Sequence, residues 1–162
     1  MKFANDIEIA RSLEDVFGYV SDITKGSAWD SAVLKITELS EGGVRKGATY
    51  RMIRKLPRGE VENILEVVEF VPNHEIVLKT TSGPTPFLYR YLFESINSGT
   101  KITLESQSLS EHLGRDVGGI ASILPDSILE PFVKKGVLSN LQTLKKILES
   151  SVISINAMGQ SK

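Results

Sequence analysis

Three periods of apolar and polar residues succeed one another along the chain. From Phe3 to Ile9 the alternation is strict, with Phe3, Asn5, Ile7 and Ile9 on one side, the pattern of a half-buried strand. At Ser12 the period lengthens. Ser12 stands three residues before Asp15, a variant of the capping box, and Val16, Phe17 and Val20 follow at helical spacing. A second short helix or turn is expected over Asp22 to Lys25, broken at Gly26.

Between Ala32 and Ser110 the two-residue period returns and is punctuated by turn signals. Glu41-Gly42-Gly43, Pro57-Arg58-Gly59, Pro72-Asn73 and Gly83-Pro84 separate successive β-rich runs. Phe87 to Ser95 and Lys101 to Leu109 flank Asn97-Ser98-Gly99, read as a three-residue hairpin with glycine at its left-handed position. No helical pattern interrupts this region, so neighbouring strands should pair antiparallel. The last element is a helix. Ile128, Leu129, Phe132, Val133, Val137, Leu138, Leu141, Leu144, Ile147 and Leu148 form a stripe wide enough to lie across a sheet. Asp126 is the expected N-cap, Pro131 falls near the first turn, and Gly136 weakens the interior by roughly 1 kcal/mol relative to alanine. Past Ser151 the pattern ends, so residues 151–162 are expected to fray. The fold class is therefore α+β: a curved antiparallel sheet of about seven strands around a long C-terminal helix, with two short helices after the first strand.

Composition narrows the chemistry more than the fold. The 162 residues suit one domain, 1–150, and 41% hydrophobic with 24% charged residues is an ordinary globular balance. A net charge of −1 gives no sign of nucleic acid as a partner. The absence of cysteine excludes disulfides, thiolate nucleophiles and cysteine-ligated metal. The N-terminus lacks the apolar run of a signal peptide, and no stretch approaches the ~20 apolar residues of a membrane span, so a cytoplasmic protein is expected.

The order of elements, together with certain residues, resembles the START-like (SRPBCC, helix-grip) superfamily, most nearly its polyketide cyclase/dehydrase-like branch. Those residues are Ser12-Leu13-Glu14-Asp15-Val16-Phe17 with Val20-Ser21-Asp22, Trp29-Asp30, Gly47 before Tyr50, Pro72-Asn73, Tyr91-Leu92-Phe93-Glu94, Gly99-Thr100, and Leu141 with Leu144-Lys145. They are fold-determining positions and none is a catalytic signature. The resemblance implies a concave sheet face that lines an internal cavity and a hydrophobic ligand, lipid-like or polyketide-like, held without a cofactor.

Period two puts Phe87, Tyr89, Tyr91 and Phe93 on one face of one strand. They are either core beneath the long helix or a pocket wall whose hydroxyls orient a ligand. Tyr50 and Met52, and Phe132 and Val133 on the helix, join them as wall candidates, while Trp29 is read as a plug closing one end of the core. The histidines, His74 in a turn and His112 beside Glu111 with Asp116 nearby, lack the spacing of convergent metal ligands, and no metal site is expected. No nucleophile elbow or phosphate-binding loop is present. Arg45, Lys46, Arg51, Lys55 and Arg58 form either a solvated outer face or a weak contact for an anionic membrane surface. Leu113 to Leu124, with Gly114, Gly118 and Gly119, is expected to be a mobile flap whose apolar residues cover one end of the cavity.

Three functions fit: a carrier of a hydrophobic small molecule; a cofactor-independent cyclase or dehydratase using the same cavity; and an interaction module with a filled core. The second needs a buried acid–base pair, for which Arg54, Arg90, Glu66 and the tyrosines are candidates whose faces the pattern leaves open.

Overall fold

The computed structural model describes the backbone of residues 1–160 and the side chains of residues 1–150. Seven strands, β1 (Lys2–Ile9), β2 (Val33–Glu38), β3 (Thr49–Leu56), β4 (Gly59–Val71), β5 (Glu75–Ser82), β6 (Phe87–Ile96) and β7 (Gly99–Ser108), form one antiparallel sheet. Its order is β1-β7-β6-β5-β4-β3-β2, so five hairpins in sequence make a meander and only β1 crosses to the far edge. The crossing is made by α1 (Leu13–Ser21) and a 3-10 turn (Ile23–Ala28). Ser12 caps α1 as its spacing predicts, its hydroxyl accepting from the Asp15 N–H at 3.2 Å.

One long helix, α3 (Asp126–Gln160), lies over the concave face. Val137, Leu141, Leu144 and Leu148 are buried from it in one cluster with Phe87, Tyr91, Phe93, Ile102 and Leu104. The predicted stripe and the aromatic strand therefore meet, since joining the two apolar surfaces removes both from water at once. Two register shifts between β4 and β5, with Thr81 the extra residue on β5 opposite Ile64/Leu65 and Val68 the extra residue on β4 between Val67 and Glu69, curve the sheet round this helix.

Details differ from the pattern. The 3-10 turn runs past Gly26, where a break is expected. The β6–β7 hairpin is tighter than three residues because Ile96 pairs with Gly99 itself. Glycine is still required there: a Cβ on residue 99 would stand 2.2 Å from the Ile9 carbonyl oxygen, where β1 closes against β7. Helix α3 is opened by the Pro125 carbonyl, which accepts from Ile128 N at 3.0 Å, so Asp126 is its first residue rather than its cap. The backbone continues α3 through 151–160, inside the tail expected to fray. Residues 161–162 of that tail lie outside the described residues.

Candidate functional site: the cavity between sheet and helix

Phe87 and Tyr89 stack with ring centroids 4.2 Å apart, and three voids meet at this pair. The first, of about 50 Å3, runs toward Trp29, Tyr91 and Ile76. The second, of about 140 Å3, opens toward Phe3, Ser106, Leu113 and Val133. The third, of about 200 Å3, lies under α3 between Asp30, Arg54, Val133 and Asn140. Small-molecule sites start at ~300 Å3, so none suffices alone. The larger two share Arg54, Phe87, Tyr89 and Val133 in their walls.

Most of this lining is apolar, and its polar groups are few. Arg54 follows Tyr50 and Met52 at every second residue of β3, which turns it inward. Its Nε donates to Asn63 Oδ1 at 2.9 Å and its Nη2 to the Pro84 carbonyl at 3.0 Å and to the Thr85 hydroxyl. Asn63, fully buried, completes the clamp by donating from Nδ2 to the same Pro84 carbonyl at 2.8 Å. Gly83 precedes this loop, and a Cβ there would meet the Glu62 carbonyl oxygen at 2.2 Å. The Arg54 guanidinium lies 5.7 Å from the centre of the Phe87 ring. Burial pulls its pKa down, opposed by Tyr89 and Asp30.

Asp30 enters from the turn after Trp29, its Oδ1 accepting from the Ala32 N–H at 3.0 Å. Burial pushes its carboxyl above the ordinary carboxylate range, although that hydrogen bond and the Arg54 charge pull the other way. The Tyr89 and Tyr91 hydroxyls are pushed well up, first by burial. Neither makes a hydrogen bond among the described residues. Ser106, directly across from Tyr89 in the β6–β7 ladder, is 2% exposed, and its Oγ has no partner among the described residues.

Of the wall candidates, Met52, Phe87, Tyr89, Tyr91 and Val133 line these voids, and Trp29 closes the smallest, edge-on to Tyr91 at 6.4 Å. Three do not. Phe132 is 71% exposed: one residue from Val133 is about 100° of helix, enough to turn the ring off the sheet. Phe93 packs edge-on against Phe17 at 4.9 Å, beyond the end of the cavity, because α1 covers that part of β6. Tyr50 is buried in the core and borders a separate cleft beside Glu38. Arg90 and Glu66 take the convex face. Arg90 is bound there by Glu75 and by Glu105 at 3.5 Å, which removes both as cavity acids or bases.

Leu113 to Leu124 contains α2 (Leu113–Val117) and a 3-10 turn (Gly119–Ile123). Leu113 and Val117 face the second void, but Ile120 and Ile123 are 80% and 81% exposed and cover nothing. In the basic run, Lys46 pairs with Glu69 at 2.9 Å, Arg51 with Glu62 at 3.2 Å, and Arg58 donates to the Asp116 carbonyl. Arg45 turns back onto the Glu41 carbonyl, and Lys55 is exposed. Among the described residues no three His, Cys, Asp or Glu side chains converge as a metal site, and His74 and His112 are both exposed.

Sequence reasoning missed Asp30, Ser106 and Asn140. The only signal for Ser106 is a hydroxyl in register with Ile102 and Leu104 on the buried side of β7. Asp30 follows Trp29 in a turn with no periodicity to give its direction.

A meander wrapped on one C-terminal helix, with two short helices between β1 and β2, defines a START-like helix-grip protein. Residues 1–149 match the family described as polyketide cyclase / dehydrase and lipid transport, and the chain belongs to that family. No curated protein matches it in sequence. Among solved structures it is similar to the Zhui aromatase/cyclase from Streptomyces sp. R1128, at 16% identity and TM-score 0.73, covering 94% of this chain and 95% of that one. The di-domain ARO/CYC StfQ of the steffimycin biosynthetic pathway is 15% identical with TM-score 0.69, over 93% of this chain and 51% of its own. Ara h 8.0201 is 12% identical with TM-score 0.68, over 93% and 98%. At such identities the likeness is one of fold.

Proposed function

We propose that this protein binds and carries a hydrophobic small molecule in the cavity around Phe87 and Tyr89. The observation that carries this reading is the pairing of an apolar wall with inward hydroxyls that have no hydrogen-bond partner among the described residues, those of Tyr89 and Tyr91 and the buried Ser106 Oγ. A core evolved only to pack would bring such groups to a partner, because an unpaired buried polar group costs ~1–3 kcal/mol. The family description, lipid transport included, fits such a role. Burying roughly 300 Å2 of apolar ligand surface at ~25 cal/mol/Å2 contributes about 7 kcal/mol, enough for micromolar binding from a preformed wall. Titration with a neutral apolar fluorophore is expected to saturate near one per chain, and native mass spectrometry to show a co-purified lipid-like mass. No saturable binding by any apolar probe would sink the carrier reading and leave the interaction-module reading in place.

A second reading is favoured by one grouping. Asp30, Arg54 and Tyr89 border the same void, and burial raises the pKa of the Asp30 carboxyl, the direction that strengthens it as a base once ionised. In a cofactor-independent cyclase, ionised Asp30 would take a proton from a methylene between two carbonyls, and Arg54 would stabilise the enolate oxygen. The enolate carbon would then attack a second carbonyl of the chain, and the resulting alkoxide would recover the proton from Asp30. Turnover of a linear polyketone, lost in Asp30→Asn while fluorophore binding persists, would establish this reading over simple carriage.

A further inference from the structure

Arg54 is placed unlike every other basic side chain described here. It points into the interior, and all its hydrogen bonds go to neutral acceptors: Asn63 Oδ1, the Pro84 and Thr85 carbonyls, and the Thr85 hydroxyl. No carboxylate among the described residues lies within ion-pair distance of it. By contrast Arg11, Arg51 and Arg90 each meet an acidic partner near the surface. A guanidinium held among apolar walls without a counter-charge is costly unless something supplies one.

The same interior contains the groups that would complete an anion site. Arg54 Nε and Nη2 are used by the clamp on the β5–β6 loop, while Nη1 has no partner among the described residues. Ser106 and Tyr89, opposite one another in the β6–β7 ladder, border the same void as Arg54, and neither hydroxyl has a partner among the described residues. Asp30 is the acidic side chain bordering the adjoining void, and burial raises the pKa of its carboxyl.

We propose that the ligand carries a carboxylate head, held by Arg54 Nη1, Ser106 Oγ and the Tyr89 hydroxyl, with its apolar tail running along Phe87 beneath the helix. The proposal rests on the carrier reading and narrows it to amphipathic acids of the fatty-acid type. Three donors on residues that border one void match the acceptor-only chemistry of a carboxylate, and charge-assisted bonds are roughly twice as strong as neutral ones. An alcohol or ester of the same length offers the same tail and leaves the Arg54 charge unanswered.

The test compares decanoate with decan-1-ol at pH 8 as competitors of a bound neutral fluorophore. Decanoate is expected to displace the fluorophore at a concentration at least tenfold lower than the alcohol, although the alcohol is the more hydrophobic. Arg54→Met is expected to erase that preference, bringing the acid and the alcohol to within about twofold of one another. Ser106→Ala, which removes a hydroxyl that bonds nothing, is expected to cut the preference about fivefold, one hydrogen bond's worth, with the fold intact. Equal displacement by acid and alcohol in the wild type overturns the proposal while carriage stands. So does a preference unchanged in folded Arg54→Met, or, where that variant does not fold because its loop clamp is gone, a preference unchanged in Ser106→Ala. Failure of the wild type to bind the fluorophore at all removes the carrier reading and this proposal with it.

Discussion

Replacing Val133 by tryptophan separates a functional cavity from a loosely packed core. Val133 sits on the sheet side of α3 and borders both larger voids, about 140 and 200 Å3. An indole added there enters space that no atom occupies, so the strain of ~1–3 kcal/mol typical of overpacking should not arise. The new ring would gain contacts with Phe87 and Tyr89, and tryptophan and valine have similar helix propensities. We therefore expect a change in unfolding free energy within about 1 kcal/mol, measured by urea denaturation, together with loss of fluorophore binding by at least tenfold. The double readout gives the experiment its force. A variant destabilised by 2–3 kcal/mol would mean the voids are not available space. A stable variant that binds as tightly as wild type would place the ligand elsewhere.

Asp30 gives a pH-dependent prediction. Its carboxyl is raised in the fold above its unfolded value near ~3.9, so its contribution is complete below that value and is lost as pH climbs through the folded pKa. Asp30→Asn keeps the acceptor for the Ala32 N–H; wild type is expected to gain stability relative to this variant as pH falls from neutrality, and parallel denaturation curves at pH 7 and pH 4 would contradict the assignment. Leu144→Ala, at a fully buried site of α3, should cost about 2–5 kcal/mol, whereas Phe132→Ala on the exposed face should stay within about 0.5 kcal/mol. A large loss at Phe132 would restore it to the wall from which its exposure removes it.

The strands, their antiparallel pairing, the Ser12 cap and the face of α3 that meets β6 are legible in the sequence because each is a periodic signal. Alternation every second residue or recurrence every third and fourth states which side of an element is apolar, and burial does the rest. Periodicity leaves open the faces of Arg54, Arg90 and Glu66, which the paired sheet settles, Arg54 inward with Tyr50 and Met52 and the other two outward. It does not say where along an inward face the core ends and the cavity begins. Tyr50 and Phe93 share a face with Met52 and Tyr89, yet α1 and the turn after it fill the space before them, a matter of which distant segments lie overhead. Phe132 fails for the complementary reason. A broad apolar stripe on a helix near its free end contains residues that never reach the sheet. The polar half of the site is the work of tertiary structure. Asp30 arrives on an aperiodic turn, Ser106 matters only because β7 sets it opposite Tyr89, and Arg54 is held by a loop some 30 residues away in sequence. Each of these residues is ordinary in its own neighbourhood of the chain. The adjoining voids they border exist only once the sheet has curled around α3, since curvature, unlike period, is a property of all seven strands together.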